Sequence, residues 1–240
     1  MRVAHSDLRG TRINYPGKIA FEIFTAGCNW KCPSCHSRDA VLCDETYSSC
    51  GLLDEIKKYQ RINPGWVDGL AICGGEPTIQ TDLVDFISKV KKETKLKVKL
   101  DTNGTNPSVL DDLRKRGIVD YVAMDIKGSR DLYPKLISRE IGRELDFREL
   151  EKSIALVSQF PDYEFRTTIL ERFHTPEKVD EMGKWISSVL NGKAKRFYFQ
   201  RFRNSGNLLD PNFKEADTSI TFVEGLVPIM QNYAEEVKAR

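Results

Sequence analysis

Residues 18–36 read KIAFEIFTAGCNWKCPSCH. The first eight are β-branched and aromatic enough to predict a buried strand. That strand runs directly into Cys28, Cys32 and Cys35, a C-x3-C-x2-C loop. Working outward, the same arrangement of an apolar run capped by polar or glycine residues recurs along the chain. Residues 67–73 precede Gly74-Gly75-Glu76-Pro77, and residues 96–100 precede Asp101-Thr102-Asn103-Gly104. Residues 119–126 carry Asp125 and lead into Lys127, while 163–169 and 194–199 form two further runs. Between the runs, apolar residues fall at helical spacing: Leu52, Ile56 and Tyr59; Leu83, Phe86, Ile87 and Val90; Val109, Leu110 and Leu113; Leu150, Ile154 and Val157; Val179, Met182, Trp185 and Ile186. Each set would bury one helix face against a sheet.

Six alternations of strand and helix predict an α/β fold with parallel strands and right-handed crossovers. Six units are too few for an eight-fold barrel, so a partial (β/α)6 TIM-like barrel is expected first and a doubly wound sheet second. In either architecture, ligands sit outside the C-terminal ends of the strands, where four of the polar segments above converge. Residues 138–149 are charge-rich and read as a solvated connection. Residues 221–240, with Phe222, Leu226, Ile229 and Tyr233, read as a closing helix. A chain of 240 residues fits one domain, with a core over about 18–200 and a C-terminal segment, 201–240, packed on it.

The formal charge of +2 supplies no concentrated basic surface, which argues against nucleic acid as the main partner. No run of about 18 apolar residues predicts a membrane span, and residues 1–7 do not read as a signal peptide, so a cytoplasmic protein is expected. In a reducing compartment, clustered thiols point to metal or catalysis rather than to disulfides. Three thiolates on one loop would leave one iron of a four-iron cluster without a protein ligand, open to a substrate or cosubstrate. Tetrahedral zinc with His36 as the fourth ligand is the competing reading, though a histidine next to Cys35 would have to fold back sharply to share its metal. Cys73 reads as a buried small side chain, and Cys43 and Cys50 as free thiols, with a redox pair or extra ligands as alternatives. His5 and His174 read as surface or packing residues.

The cysteine loop after the first strand resembles that of the radical S-adenosylmethionine superfamily, and Trp30 and His36 suit its character. The resemblance implies a [4Fe-4S] cluster on Cys28, Cys32 and Cys35, with S-adenosylmethionine on the fourth iron. It also implies reductive cleavage to a 5′-deoxyadenosyl radical that abstracts hydrogen. Gly74-Gly75-Glu76-Pro77 resembles the superfamily's GGEP motif, whose backbone meets the methionine amino group; the alternative is a tight turn. KLDTNG, with Asp101 and Asn103, and DIK, with Asp125 and Lys127, are similar to motifs of glycyl-radical-enzyme activases. By that likeness Asp101 and Asp125 face the methionine amino group and Lys127 its carboxylate. Arg166 matches an activase arginine near the same ligand, or else is a surface arginine on an edge. With YPGK (Tyr15 to Lys18), GGEPTIQ and YVAMDIK, the first 130 or so residues most resemble the activating protein of anaerobic ribonucleoside-triphosphate reductase. That implies a glycyl-radical enzyme as partner and a flavodoxin- or ferredoxin-type electron donor. Two departures stand out: Gln200 lies where some activases carry a histidine, and no ferredoxin-like insert is present. A radical enzyme acting on a small molecule, like the 7-carboxy-7-deazaguanine synthases, and a structural zinc or iron–sulfur module are the alternatives.

Overall fold

The computed structural model describes residues 1–49, 51–137 and 145–240. Cys50 and most of the expected connection at 138–149 lie outside the described residues. From Phe147 onward, that stretch is already helix.

Among the described residues, nine strands form one sheet. They are β1 (Arg2–Thr11), β2 (Ala20–Thr25), β3 (Tyr47–Ser48), β4 (Gly69–Gly74), β5 (Lys97–Thr102), β6 (Tyr121–Asp125), β7 (Tyr163–Ile169), β8 (Ala194–Arg201) and β9 (Ala234–Ala239). Their spatial order is β3-β1-β2-β4-β5-β6-β7-β8-β9. From β2 to β9 every neighbouring pair is parallel, while β1 joins β2 and β3 antiparallel. From β2 onward, strand order in space follows order in sequence. A doubly wound sheet reverses its order at a switch point, so the observed order is that of a progressively wrapped, barrel-like sheet. The helices α1 (Arg38–Val41), α2 (Leu52–Ile62), α3 (Leu83–Glu93), α4 (Pro107–Arg116), α5 (Tyr133–Leu136), α6 (Phe147–Val157), α7 (Pro176–Leu190) and α8 (Ile220–Met230) occupy the connections.

The two faces of the sheet differ because side chains alternate along each strand. Phe21, Ile23, Leu70, Ile72, Val98, Leu100, Val122, Met124, Phe165, Phe197 and Phe199 are wholly buried in the apolar cluster with the helices. Their sequence neighbours point the other way and are polar or small: Glu22, Ala71, Lys99, Asp101, Ala123, Asp125, Glu164 and Arg166, placed side by side by the strand register. Tyr15 lies at one end of this inner face, its ring 5.9 Å from that of Tyr121, with Ala20 and Ala123 around them. It is carried there by the turn Tyr15-Pro16-Gly17-Lys18, in which Lys18 N donates to Tyr15 O and Gly17 has φ +73°. Proline followed by a positive-φ glycine is what a type II turn requires.

Short β3, α1 and α5 were not expected from the sequence, and two larger elements differ from its reading. β1 was not expected: only Val3 of its ten residues is buried, so it carries almost no apolar signal. The tail is not one helix. α8 stops at Met230, two residues after Pro228, and β9 follows. Proline removes a helical N–H and crowds the preceding turn. AEEVKA then becomes a strand through its neighbours, with Glu236 accepting from Arg196 Nε at 3.1 Å and Tyr198 Oη at 2.9 Å. Ile154 of α6 is fully buried among helices and sheet. Ile154→Ala is expected to lower stability by about 2–5 kcal/mol, read from the denaturant midpoint at unchanged slope.

Candidate active site

Cys28, Cys32 and Cys35 follow β2 and face a cleft of about 450 Å³ at the C-terminal ends of the strands. Gly74, Gly75, Glu76, Asp101, Asn103, Asp125, Lys127, Arg166 and Gln200 line the same cleft. The three loop cysteines and every residue read as a cofactor contact are therefore gathered in one place, whereas Cys43 does not line the cleft.

The GGEP turn is built for close approach. Gly74 has φ +115°, a region closed to most side chains, and a Cβ there would lie 2.3 Å from Thr25 N. A Cβ on Gly75 would lie 1.7 Å from the carbonyl oxygen of Gly27. The closeness lets Gly75 N donate to Thr25 O and Glu76 N to Gly27 O, both at 2.9 Å. The turn is thus bonded to the first residues of the cysteine loop. Glu76 is 1% exposed, and protein donors occupy both of its carboxylate oxygens. Oε1 accepts from Thr78 N at 3.0 Å, Thr78 Oγ1 at 2.6 Å and Thr102 Oγ1 at 2.8 Å, and Oε2 accepts from Asn103 N at 2.6 Å. Burial pushes its pKa up, and these four donors oppose that shift. Asn103 extends the bracing: its Nδ2 donates to Asn29 Oδ1 at 2.9 Å, within the cysteine loop.

Opposite the loop, charges alternate. Lys99 Nζ donates to Asp101, Arg166 Nη2 donates to Asp101 at 2.9 Å, Arg166 Nε donates to Asp125 at 2.5 Å, and Lys127 Nζ donates to Asp125 at 2.9 Å. Arg166 is consequently no surface residue; it bridges two strand-end carboxylates. Burial alone would raise the pKa of Asp125, but Arg166 and then Lys127 outweigh it and hold the carboxyl well below the usual range. Lys127 is disfavoured as a cation by burial, yet Asp125 and then Cys32 raise its pKa. The sequence reading missed Lys99, which is 1% exposed, because a lysine inside a strand usually reads as a solvent-facing position. Alternation with Val98 and Leu100 was the available signal.

The three cysteines are free thiols. Burial raises the pKa of each, that of Cys28 to about 12; Lys127 works in the opposite direction on Cys32 and Cys35. Trp30 N points at Cys28 Sγ at 3.4 Å. Among the described residues, no three His, Cys, Asp or Glu side chains are gathered closely enough for a single ion. Zinc at about 2.3 Å from each sulfur would draw the thiols into a tight tetrahedron. A four-iron cluster instead gives each cysteine its own iron and accepts wider spacing. His36 is committed elsewhere: its Nε2 lies 2.5 Å from Arg203 O and its ring packs on Phe202. The donor set, three thiols with no fourth ligand beside them among the described residues and a cleft lined by both charges, fits a cluster with one open iron. From the far end of the chain, Leu209 N donates to Cys35 O at 3.0 Å and Asp210 N to Pro33 O at 3.1 Å, strapping the loop from outside.

Outside this constellation, Cys73 is buried as expected, Cys43 Sγ donates to Glu45 O at 3.1 Å, and the His5 ring packs on Phe24. No helix among the described residues is long and apolar enough to cross a membrane.

A sequence profile of the Radical SAM superfamily matches residues 23–186. The chain belongs to that superfamily, whose members work with a [4Fe-4S] cluster and S-adenosylmethionine, and it is an enzyme of the superfamily's glycyl-radical activating branch. It is 36% identical over 176 residues to a candidate glycyl-radical enzyme activating enzyme of Methanocaldococcus jannaschii, covering 72% of this chain and 71% of that one. It is 30% identical over 148 residues to the pyruvate formate-lyase 1-activating enzyme of Escherichia coli, covering 56% of each. Among solved structures, peptide-bound SuiB of Streptococcus suis superposes with a TM-score of 0.68 at 14% identity, over 90% of this chain and 47% of that longer one. AdoMet-bound anSMEcpe gives 0.61 at 18% identity, over 87% and 57%. At such identities the structures speak for the fold alone.

Gly75→Ala is expected to force the GGEP turn away from Gly27. Iron retained after anaerobic reconstitution should fall to a minor fraction of the wild-type amount, measured by iron assay and the cluster's visible absorbance, while far-ultraviolet circular dichroism stays near native.

Proposed function

We propose that this chain generates a glycyl radical on a partner enzyme, and that the partner is the anaerobic ribonucleoside-triphosphate reductase. The observation that carries the reading is the meeting, in one cleft, of a three-thiol loop with the Asp101–Arg166–Asp125–Lys127 array. A [4Fe-4S] cluster on Cys28, Cys32 and Cys35, with S-adenosylmethionine on its open iron, would supply one-electron cleavage to methionine and a 5′-deoxyadenosyl radical.

The chain's own residues bind and orient. The strand end at Gly74, Gly75 and Glu76 faces the methionine amino group with backbone; the Glu76 carboxylate keeps that backbone in place rather than meeting the ligand itself. Asp101 and Asp125 each retain lone pairs beyond those given to Lys99, Arg166 and Lys127, and so can also accept from an ammonium. Lys127, with a single carboxylate partner among the described residues, turns its remaining donors to the methionine carboxylate. Asn103 holds the cysteine loop against the KLDTNG segment. Gln200 lines the cleft where a carboxylate or ribose hydroxyl would need a donor.

The reductase assignment rests on the combined YPGK, KLDTNG and YVAMDIK motifs, and the activating branch on the relatives above. A flavodoxin- or ferredoxin-type protein is the electron donor under this reading, and the cytoplasm its compartment. Similarity to a 7-carboxy-7-deazaguanine synthase of Clostridium acetobutylicum, 29% over 89 residues, is confined to 37% of this chain and gives the small-molecule alternative less support.

Anaerobically reconstituted, reduced protein is expected to bind about four irons and form 5′-deoxyadenosine. With the reductase added, electron paramagnetic resonance should show a glycyl radical. Cleavage without that radical would move the assignment to another partner or to a small molecule. Cys32→Ala should abolish cleavage. Lys127→Ala should weaken S-adenosylmethionine binding by roughly 10- to 150-fold, the loss of a charged hydrogen bond.

A further inference from the structure

Lys127 lies just past the end of β6, where the sheet no longer holds the backbone. Its carbonyl is instead met by His174, which comes from the loop after the neighbouring strand β7: the His174 Nε2 is 2.9 Å from Lys127 O. The other ring nitrogen lies 3.0 Å from Leu170 N. Backbone N–H groups only donate and carbonyls only accept, so these partners specify one tautomer: Nδ1 accepts from Leu170 N, and Nε2–H donates to Lys127 O. Nδ1 also lies 3.2 Å from Leu170 O, but that carbonyl already accepts from Phe173 N and His174 N. The ring is 1% exposed, and burial lowers its pKa, in keeping with the neutral form. Space for it is left by Gly128, where a Cβ would lie 3.0 Å from Leu132 Cδ1 and 3.4 Å from His174 Nε2.

From this geometry we infer that His174 is a positioning residue for Lys127. Its Nε2–H anchors the Lys127 carbonyl and so sets the direction in which the Lys127 ammonium enters the cleft. The inference rests on the reading of Lys127 as the carboxylate partner of S-adenosylmethionine. The side chain is joined to the chain one bond from the anchored peptide. A carbonyl freed of its donor in this buried place would turn to find another, and the ammonium would turn with it. A histidine that only packed or only closed the 170–174 turn would have no such effect.

Two substitutions separate the ring's two bonds. In His174→Gln the amide nitrogen reaches the place of Nε2 and keeps the donor to Lys127 O, but the acceptor for Leu170 N is lost. In His174→Asn the carbonyl oxygen takes the place of Nδ1 and keeps the Leu170 bond, but nothing reaches Lys127. S-adenosylmethionine binding to the reconstituted proteins, thermal midpoints, and the imidazole nitrogen shifts of the cluster-free wild type are the measurements. The expected result is a neutral Nε2–H tautomer, affinity within about threefold of wild type for His174→Gln, and a Kd raised roughly tenfold for His174→Asn, as for a lost buried hydrogen bond. Equal weakening in both variants, tracking their thermal midpoints, would make the role structural and overturn the inference. So would unchanged affinity in His174→Asn while Lys127→Ala binds poorly, or an Nδ1–H tautomer. If Lys127→Ala itself binds normally, the assignment of Lys127 fails first, and this inference falls with it.

Discussion

Charge placed inside a sheet-lined interior has to be matched there. Lys99, Asp101, Arg166, Asp125 and Lys127 satisfy this by strict alternation of sign across β5, β6 and β7. Each ion in the row costs several kcal/mol to take out of water and is compensated only by its neighbours. Deleting one member leaves another buried and unmatched, so the row stands or falls as a unit. It begins and ends in lysine, three cations to two carboxylates, and Lys127 at one end offsets part of the rise that burial imposes on the Cys32 and Cys35 thiols.

Against this charged wall, the loop is held by main-chain bonds from Glu76, Leu209 and Asp210, joined by side-chain bonds at Asn29 and His36. The two glycines of GGEP matter because they have no side chain, and Glu76 because its carboxylate gathers donors from two segments. A motif that reads as a ligand contact thus has a second role in the fold, as the brace that sets the distance between β2 and β4 ends. The carboxylate is too fully bonded to be spared for a ligand, whereas the backbone it orders still lines the cleft.

The strand ends could be read from sequence because a parallel sheet puts function at one rim, and β2, β4, β5 and β6 are short apolar runs closed by Gly or Asp. Six of the seven parallel strands and the gathering of Cys28, Asp101, Asp125 and Lys127 follow from that pattern. β1 and β9 escaped it for opposite reasons. RVAHSDLRGT buries too little to show a period, and AEEVKA has helix-forming residues that pairing with β8 overrides. Lys99 and Glu164, both buried, were not singled out, because sequence alone does not say that the second face of the sheet is enclosed. His174 carried no signal at all: its two partners are backbone groups, and backbone atoms leave no trace in the choice of side chains.

The hydrogen bonds from Leu209 and Asp210 to the carbonyls of Cys35 and Pro33 join the early part of the chain to its last fifth. During biosynthesis the thiols emerge from the ribosome long before these donors do. The loop gains its outer support only when residue 210 is free to fold back, so delivery of iron to a nascent chain would meet an incomplete binding site. The outer support of the loop is in this way tied to the synthesis of the segment around Leu209 and Asp210.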